Sequence, residues 1–295
     1  MSFASALRQH LALQALKFVQ AEKLPYSLSY GELPVVCFAP DDNESRHGNF
    51  CRASYKAIIS NPAWRKRLAK VHTQGRRSLP ASDHGRWREL DSCMSSDALL
   101  MNIFCYPGAL RRLSTILRVD SICTPHFGYK AHVPLVGGRF DRTEVDMQLG
   151  NLLVEAKLTE SGFQSARKQV LSTYRDFLEV FEVDELPQTG THYLCYQLLR
   201  NVLAAYALQQ SFCVLLDARR PDLVEAWFAV MKCVKPVELR ASLRVLTWQE
   251  VAGALPRRLQ TFLSSKYGID APLRVEILQA CEGLTYGNAR IRRPS

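Results

Sequence analysis

Three observations place this 295-residue chain in the α/β class. Between Arg142 and Leu158, polar and apolar residues alternate on both sides of Gly150-Asn151, which is the period of two strands joined by a two-residue loop. Phe212 to Asp217 is a short continuous apolar run, as a strand covered on both faces needs. A helix near 221–232 and a strand near 242–247 follow it, which adds parallel crossover units to the antiparallel hairpin. The expected fold is a mixed central sheet containing that hairpin, flanked by helices and preceded by a mostly helical N-terminal region. Residues 1–120 make up that region, packed on or contributing to the core; 121–270 hold the core; 271–295 are an extension with a basic tail at Arg290-Ile-Arg-Arg293.

Leucines at 7, 11, 13 and 16 predict an amphipathic helix near 3–22. Pro, Asp and Asn make 34–49 a loop, a helix follows at about 50–60, and Pro62 opens another turn from a first helical position. Ser96-Asp97 caps a helix that runs through Asn102 and breaks near Pro107. A strand near 126–135 precedes the hairpin. After it, apolar residues at 163, 166, 170, 174, 177, 178 and 181 have helical spacing, with Gln164 and Lys168 on the polar side. Residues 193–209 form a helix apolar on nearly every side, hence buried between layers. Thr247-Trp-Gln-Glu250 has capping-box spacing, and Gly268 ends the last helix.

With Gly150-Asn151 as the loop, Leu149 faces Leu152, Asp146 faces Glu155 and Glu144 faces Lys157 on one side. Val145, Met147, Val154, Ala156 and Leu158 make the apolar reverse side. Carboxylates facing each other across strands, with Cβ atoms about 5 Å apart, repel. A Mg²⁺-type cation offsets that repulsion, because hard cations take oxygen from one or two carboxylates and keep several waters. Lys157, on the same side, sits beside such a water. Alternation with mixed charge also describes an ordinary solvated face; the paired acids, the adjacent lysine and the apolar reverse face favour the cation site.

At these residues the chain resembles the PD-(D/E)XK nuclease superfamily, whose pattern is an acid on one strand and acid-x-Lys after an apolar run on the next. Asp146 with Val154-Glu155-Ala156-Lys157 fits it. Thr143-Glu-Val-Asp146, Glu155-Ala-Lys-Leu-Thr-Glu160 and Tyr196-Gln-Leu-Leu-Arg-Asn201 are similar to a subgroup of bacterial restriction endonucleases within it. The resemblance spans roughly 95–265, and Val145 stands where the family's name has proline. It implies a restriction-endonuclease-like fold in which the hairpin is catalytic, and a metal-dependent hydrolase of phosphodiester bonds, with DNA as partner, in the bacterial cytoplasm. Asp146, Glu155 and the main-chain carbonyl of Ala156 would bind Mg²⁺ or Mn²⁺, and Lys157 would orient or help deprotonate the attacking water. Glu144 would hold Lys157 or reach a second ion, while Gln164 and Lys168 would touch phosphate or the water. Two other readings stay open: a nucleic-acid-binding protein on this fold without catalysis, and a subunit of a defence or repair complex. A second copy of the chain is a further candidate partner.

Thirty-eight Lys and Arg against 28 Asp and Glu leave a net charge of +10, enough to attract a polyanion. Between Trp64 and Arg88, Arg65, Lys66, Arg76 and Arg77 belong to a basic stretch that either tracks a phosphate backbone or is solvated surface. Nine scattered cysteines, none in a C-x-x-C pair, read as reduced and mostly packed inside. No histidine pair has zinc-site spacing and no phosphate-binding G-x-x-x-x-G-K-[ST] loop occurs, which argues against a zinc hydrolase and an NTP-driven motor. No apolar stretch approaches the ~20 residues of a membrane span, and the first residues lack the apolar core of a signal peptide.

Overall fold

The computed structural model describes residues 2–29, 33–38, 45–71 and 88–272. Five strands build a mixed central sheet: β1 (His126–Lys130), β2 (Glu144–Leu149), β3 (Leu152–Ala156), β4 (Ser211–Leu216) and β5 (Leu243–Thr247), in the spatial order β5-β4-β3-β2-β1. β2 runs antiparallel to both β1 and β3, whereas β4 is parallel to both β3 and β5. The change from antiparallel to parallel pairing therefore occurs at β3, the strand that carries Glu155.

Both faces of the sheet are covered, which explains why β3 and β4 read as apolar runs. On one face α6 (Tyr196–Leu208) and α7 (Pro221–Met231) pack Leu198, Leu199, Val202, Trp227 and Val230 against Leu153, Phe212, Val214 and Leu216. On the other face lie α1 (Phe3–Ala21), α4 (Ser96–Phe104), α5 (Ala109–Leu117), α8 (Trp248–Ala254) and α9 (Arg257–Tyr267). Their Leu7, Leu11, Leu99, Leu113, Trp248 and Leu263 join Met147, Leu152, Val154, Cys213 and Leu215 in one core. Asn49 and Asn102 fix the smaller layer around α2 (Arg52–Ser60) and α3 (Pro62–Arg67): the Asn102 amide donates to Asn49 O at 3.0 Å and its oxygen accepts from Cys51 N at 2.7 Å. Thr247 and Glu250 form the expected capping box of α8, and Gly268, at φ +59°, closes α9.

The structure departs from the sequence expectations at several points. The cap of α4 is Ser95, whose hydroxyl accepts from Ala98 N at 3.1 Å, and not Ser96. The strand near 126–135 is two strands, broken where His132 adopts φ +50°. The helix expected from 163 to 181 is absent. Ser165–Arg167 instead pairs antiparallel with His192–Leu194, and only the single turns Lys168–Leu171 and Phe177–Val180 are helical. Phe163, Leu171, Tyr174, Phe177 and Phe181 are still buried, so the apolar spacing served tertiary packing. The backbone partner came from a later segment, while Ser172 and Thr173 turn their hydroxyls back onto Gln169 O and Val170 O, competing with helix formation.

The eight cysteines among the described residues are free. None of the described helices is long and apolar enough to cross a membrane.

Candidate active site

The hairpin has the expected turn. Gly150 sits at φ +58° and the register runs Leu149↔Leu152, Gln148↔Leu153, Met147↔Val154. Beyond Met147 the two strands part: Glu155 and Ala156 are in register with Val214 and Leu215 of β4, and the Ala156 N–H donates 2.8 Å to Asp146 Oδ2. The aspartate side chain thus takes the place of a backbone acceptor at the mouth of the split.

Gly128 belongs to this opening. It falls between the register pairs Phe127↔Met147 and Tyr129↔Val145 at φ +66°, and a Cβ there would lie 2.3 Å from Arg67 Nη1. Across it the side chains change layers: Met147 and Phe127 pack toward α4, while Val145 and Tyr129 pack toward α6. The single apolar face expected from alternation therefore loses Val145. The expected pairing of Glu144 with Lys157 is not formed either. Lys157 N donates to Leu215 O at 2.8 Å, and the exposed Glu144 carboxylate accepts from Arg67 Nη1 at 2.8 Å.

Asp146, Glu155 and Lys157 do come together. The Glu155 and Lys157 side chains are 2 % and 4 % exposed, with Lys157 Nζ 2.8 Å from Glu155 Oε1. Glu155 Oε2 accepts from Asn201 Nδ2 at 2.8 Å. The Asn201 oxygen in turn accepts from Arg200 Nε and Nη2 at 3.1 and 2.9 Å. Trp248 Nε1 donates 2.8 Å to the Lys157 carbonyl, fixing the backbone that presents the ammonium. Burial works against the Lys157 charge, but Glu155, then Glu160 and Asp146, outweigh it and raise the ammonium above its ordinary value. Asp146 is half-buried with its carboxyl turned in. Burial first, then the charges of Glu155 and Asp97, hold that carboxyl well above the usual carboxylate range against the pull of Lys157 and the Ala156 N–H.

Asp97, in the first turn of α4, is the neighbour that sequence reading missed, because its local role as a helix-start residue explains it there. It is buried, accepting from Arg67 Nη2 at 2.9 Å and from Lys70 Nζ at 2.8 Å. Arg67 joins Asp97 to Glu144, so two cations of the basic stretch are held inward by acids. Arg65 and Lys66 are exposed on the last turn of α3, while Arg76 and Arg77 lie outside the described residues. Gln164 and Lys168 do not share a helix face. Gln164 is exposed at φ +58° and its carbonyl accepts from Tyr196 N, whereas Lys168 Nζ lies 5.5 Å from the Tyr193 ring centroid.

Among the described residues, no three His, Cys, Asp or Glu side chains gather into a metal cluster. Two carboxylates and a carbonyl nonetheless fit a cation that keeps most of its waters. Among the described residues Asp146 accepts one hydrogen bond and forms no ion pair, and each Glu155 oxygen, already bonded once, retains a further lone pair.

No curated protein matches the chain, and no solved structure does. One family model matches residues 19–268, which include all five strands of the central sheet and every residue of this site. On that match the chain belongs to the family described as Restriction Endonuclease associating with ARP.

Proposed function

We propose that the chain is a metal-dependent nuclease of the PD-(D/E)XK type, hydrolysing phosphodiester bonds, with DNA as substrate. The observation that carries this reading is the unmatched Asp146 carboxyl beside a Glu155 already tied to Lys157, at the point where a hairpin opens. Family membership supports a nuclease-related role. Asp146, Glu155 and the Ala156 carbonyl would hold Mg²⁺ or Mn²⁺, which supplies Lewis acidity and a more acidic water when bound.

The chain's own groups define the rest. Without metal, Glu155, Glu160 and Asp146 favour the ammonium form of Lys157. Its Nζ would orient the attacking water or help take its proton, and as an ammonium it would offset charge growing on the phosphoryl oxygens. Glu155 and Trp248 restrain Lys157 from its two ends, so the ammonium is placed before substrate arrives. Arg65 and Lys66 lie on the surface near β1, where Trp64 Nε1 donates 2.9 Å to Pro125 O, and would meet the phosphate backbone together with Arg76 and Arg77. The family description names association with ARP, and, separately, the net charge of +10 favours a nucleic acid as substrate.

The test is cleavage of plasmid, linear duplex and single-stranded DNA with Mg²⁺, with Mn²⁺ and with EDTA, using the wild type and Asp146→Ala, Glu155→Ala and Lys157→Ala. Metal-dependent cleavage that each substitution abolishes is the expected result. Cleavage surviving all three changes would overturn the assignment.

A further inference from the structure

Where β2 and β3 part, something must occupy the gap and fix its width, since the ladder no longer does. Arg200 and Asn201, neighbours on α6, occupy it; they are 4 % and 0 % exposed. Arg200 Nη2 donates 3.0 Å to the carbonyl of Glu144, on the strand that carries Asp146. The same guanidinium donates through Nε and Nη2 to Asn201 Oδ1, and Asn201 Nδ2 donates to Glu155 Oε2 on the other strand. Consecutive helical residues ordinarily point apart, so this contact depends on the length and fork of arginine. With two donors on Oδ1, only the amide NH₂ is left to face Glu155, which fixes which way the amide points.

We propose that Arg200 and Asn201 are a wedge of positioning residues that sets the separation of Asp146 and Glu155 and aims Glu155 Oε2. The proposal rests on the metal-site reading given above. Neither residue touches the reacting atoms; both act through Glu155 and the Glu144 backbone. Lysine cannot replace Arg200 here, because a single ammonium has no planar fork to bridge a carbonyl and an amide oxygen at fixed angles.

The experiment is Mn²⁺ titration by calorimetry on the full chain without DNA, alongside thermal melting without metal and cleavage rates across Mn²⁺ concentration. The variants are Asn201→Ala, Asn201→Ser, Arg200→Lys and Leu198→Ala; the last removes a buried apolar side chain of the same helix that takes part in none of the wedge's hydrogen bonds. Partners of metal ligands typically change affinity by about 10- to 100-fold. Asn201→Ala and Arg200→Lys should therefore weaken Mn²⁺ binding by roughly that factor, with cleavage recovering as Mn²⁺ is raised. Asn201→Ser, which keeps a hydroxyl donor, should fall between Asn201→Ala and wild type. Leu198→Ala should lower the melting temperature and leave Mn²⁺ affinity unchanged. Wild-type Mn²⁺ affinity in any folded wedge variant overturns the proposal, and so does an equal loss of affinity in Leu198→Ala. A wild type that binds no Mn²⁺ overturns the metal-site reading itself, and the wedge with it.

Discussion

Replacing Lys157 by Met tests how dry the centre of the site is. Glu155 and Lys157 expose 2 % and 4 % of their side chains and meet at 2.8 Å, and the other Glu155 oxygen has only the Asn201 amide. Methionine keeps most of the volume and the contact with Phe163, whose ring centre lies 5.7 Å from Nζ, but it removes the charge. Breaking a buried ion pair from one side typically costs about 3–5 kcal/mol, against about 0–1 kcal/mol for an exposed pair. With a urea m-value of roughly 3 kcal/mol per M, the unfolding midpoint should fall by about 1–2 M. The matching Glu155→Gln variant should lose a similar amount. The double variant should regain more than half of the summed loss, because two neutral groups of similar size need no counter-charge. A loss below about 1 kcal/mol in Lys157→Met, or strictly additive losses in the double variant, would refute the buried-pair argument. The same result warns that lost cleavage in Lys157→Ala must be read beside its folded fraction.

Asp146→Asn retains an acceptor for the Ala156 N–H and removes a like charge; without metal it should melt at or slightly above wild type, by up to about 1 kcal/mol, and its melting temperature should stop responding to Mg²⁺. His47 is buried, with Nδ1 accepting from Asn49 N and Nε2 facing Asp91, and burial lowers its pKa although Asp91 pulls the other way. A depressed folded-state value means that its contribution is complete above the ordinary histidine range, about 6.5, and is lost as pH falls below it; urea unfolding of His47→Gln should show a shallower loss from pH 7.5 to 5. If the surface beside β1 holds phosphates, neutralising Arg65, Lys66, Arg76 and Arg77 together should flatten the log-log salt dependence of DNA binding by about 0.9 per lost contact; an unchanged slope makes the segment ordinary surface.

The hairpin could be read from sequence because period-two alternation and Gly150-Asn151 are local signals, and the closing register follows from them by counting. The apolar run of β4, the Thr247–Glu250 box and the Gly268 cap are local in the same sense. Counting failed one step past Met147, because the split depends on Gly128 in the neighbouring strand and on the Arg67 guanidinium packed against it. The segment after the hairpin failed differently: its helical spacing marks residues that are buried, while its hydrogen bonds go to His192–Leu194. Asp146, Glu155 and Lys157 were within reach of pattern reading. Asn201 lies in the stretch that carries the family resemblance, but its contact with Glu155 was not readable, and Asp97 was missed, since what aims them is the distance between a helix and a strand that no spacing along the chain encodes.

The tryptophan that grips the Lys157 carbonyl comes 91 positions after it, and the helix following it lies against the first helix, where Gln14 reaches Ser264 and Ser265. During synthesis, then, β2 and β3 emerge with one face bare, and the sheet waits for β4, β5, α8 and α9 before its lysine is fixed. Proteins are made from the N-terminus at roughly 5–20 residues per second, so that interval lasts on the order of five to twenty seconds. A chain interrupted between Lys157 and Trp248 would carry both acids and the lysine in its sequence and still lack the site.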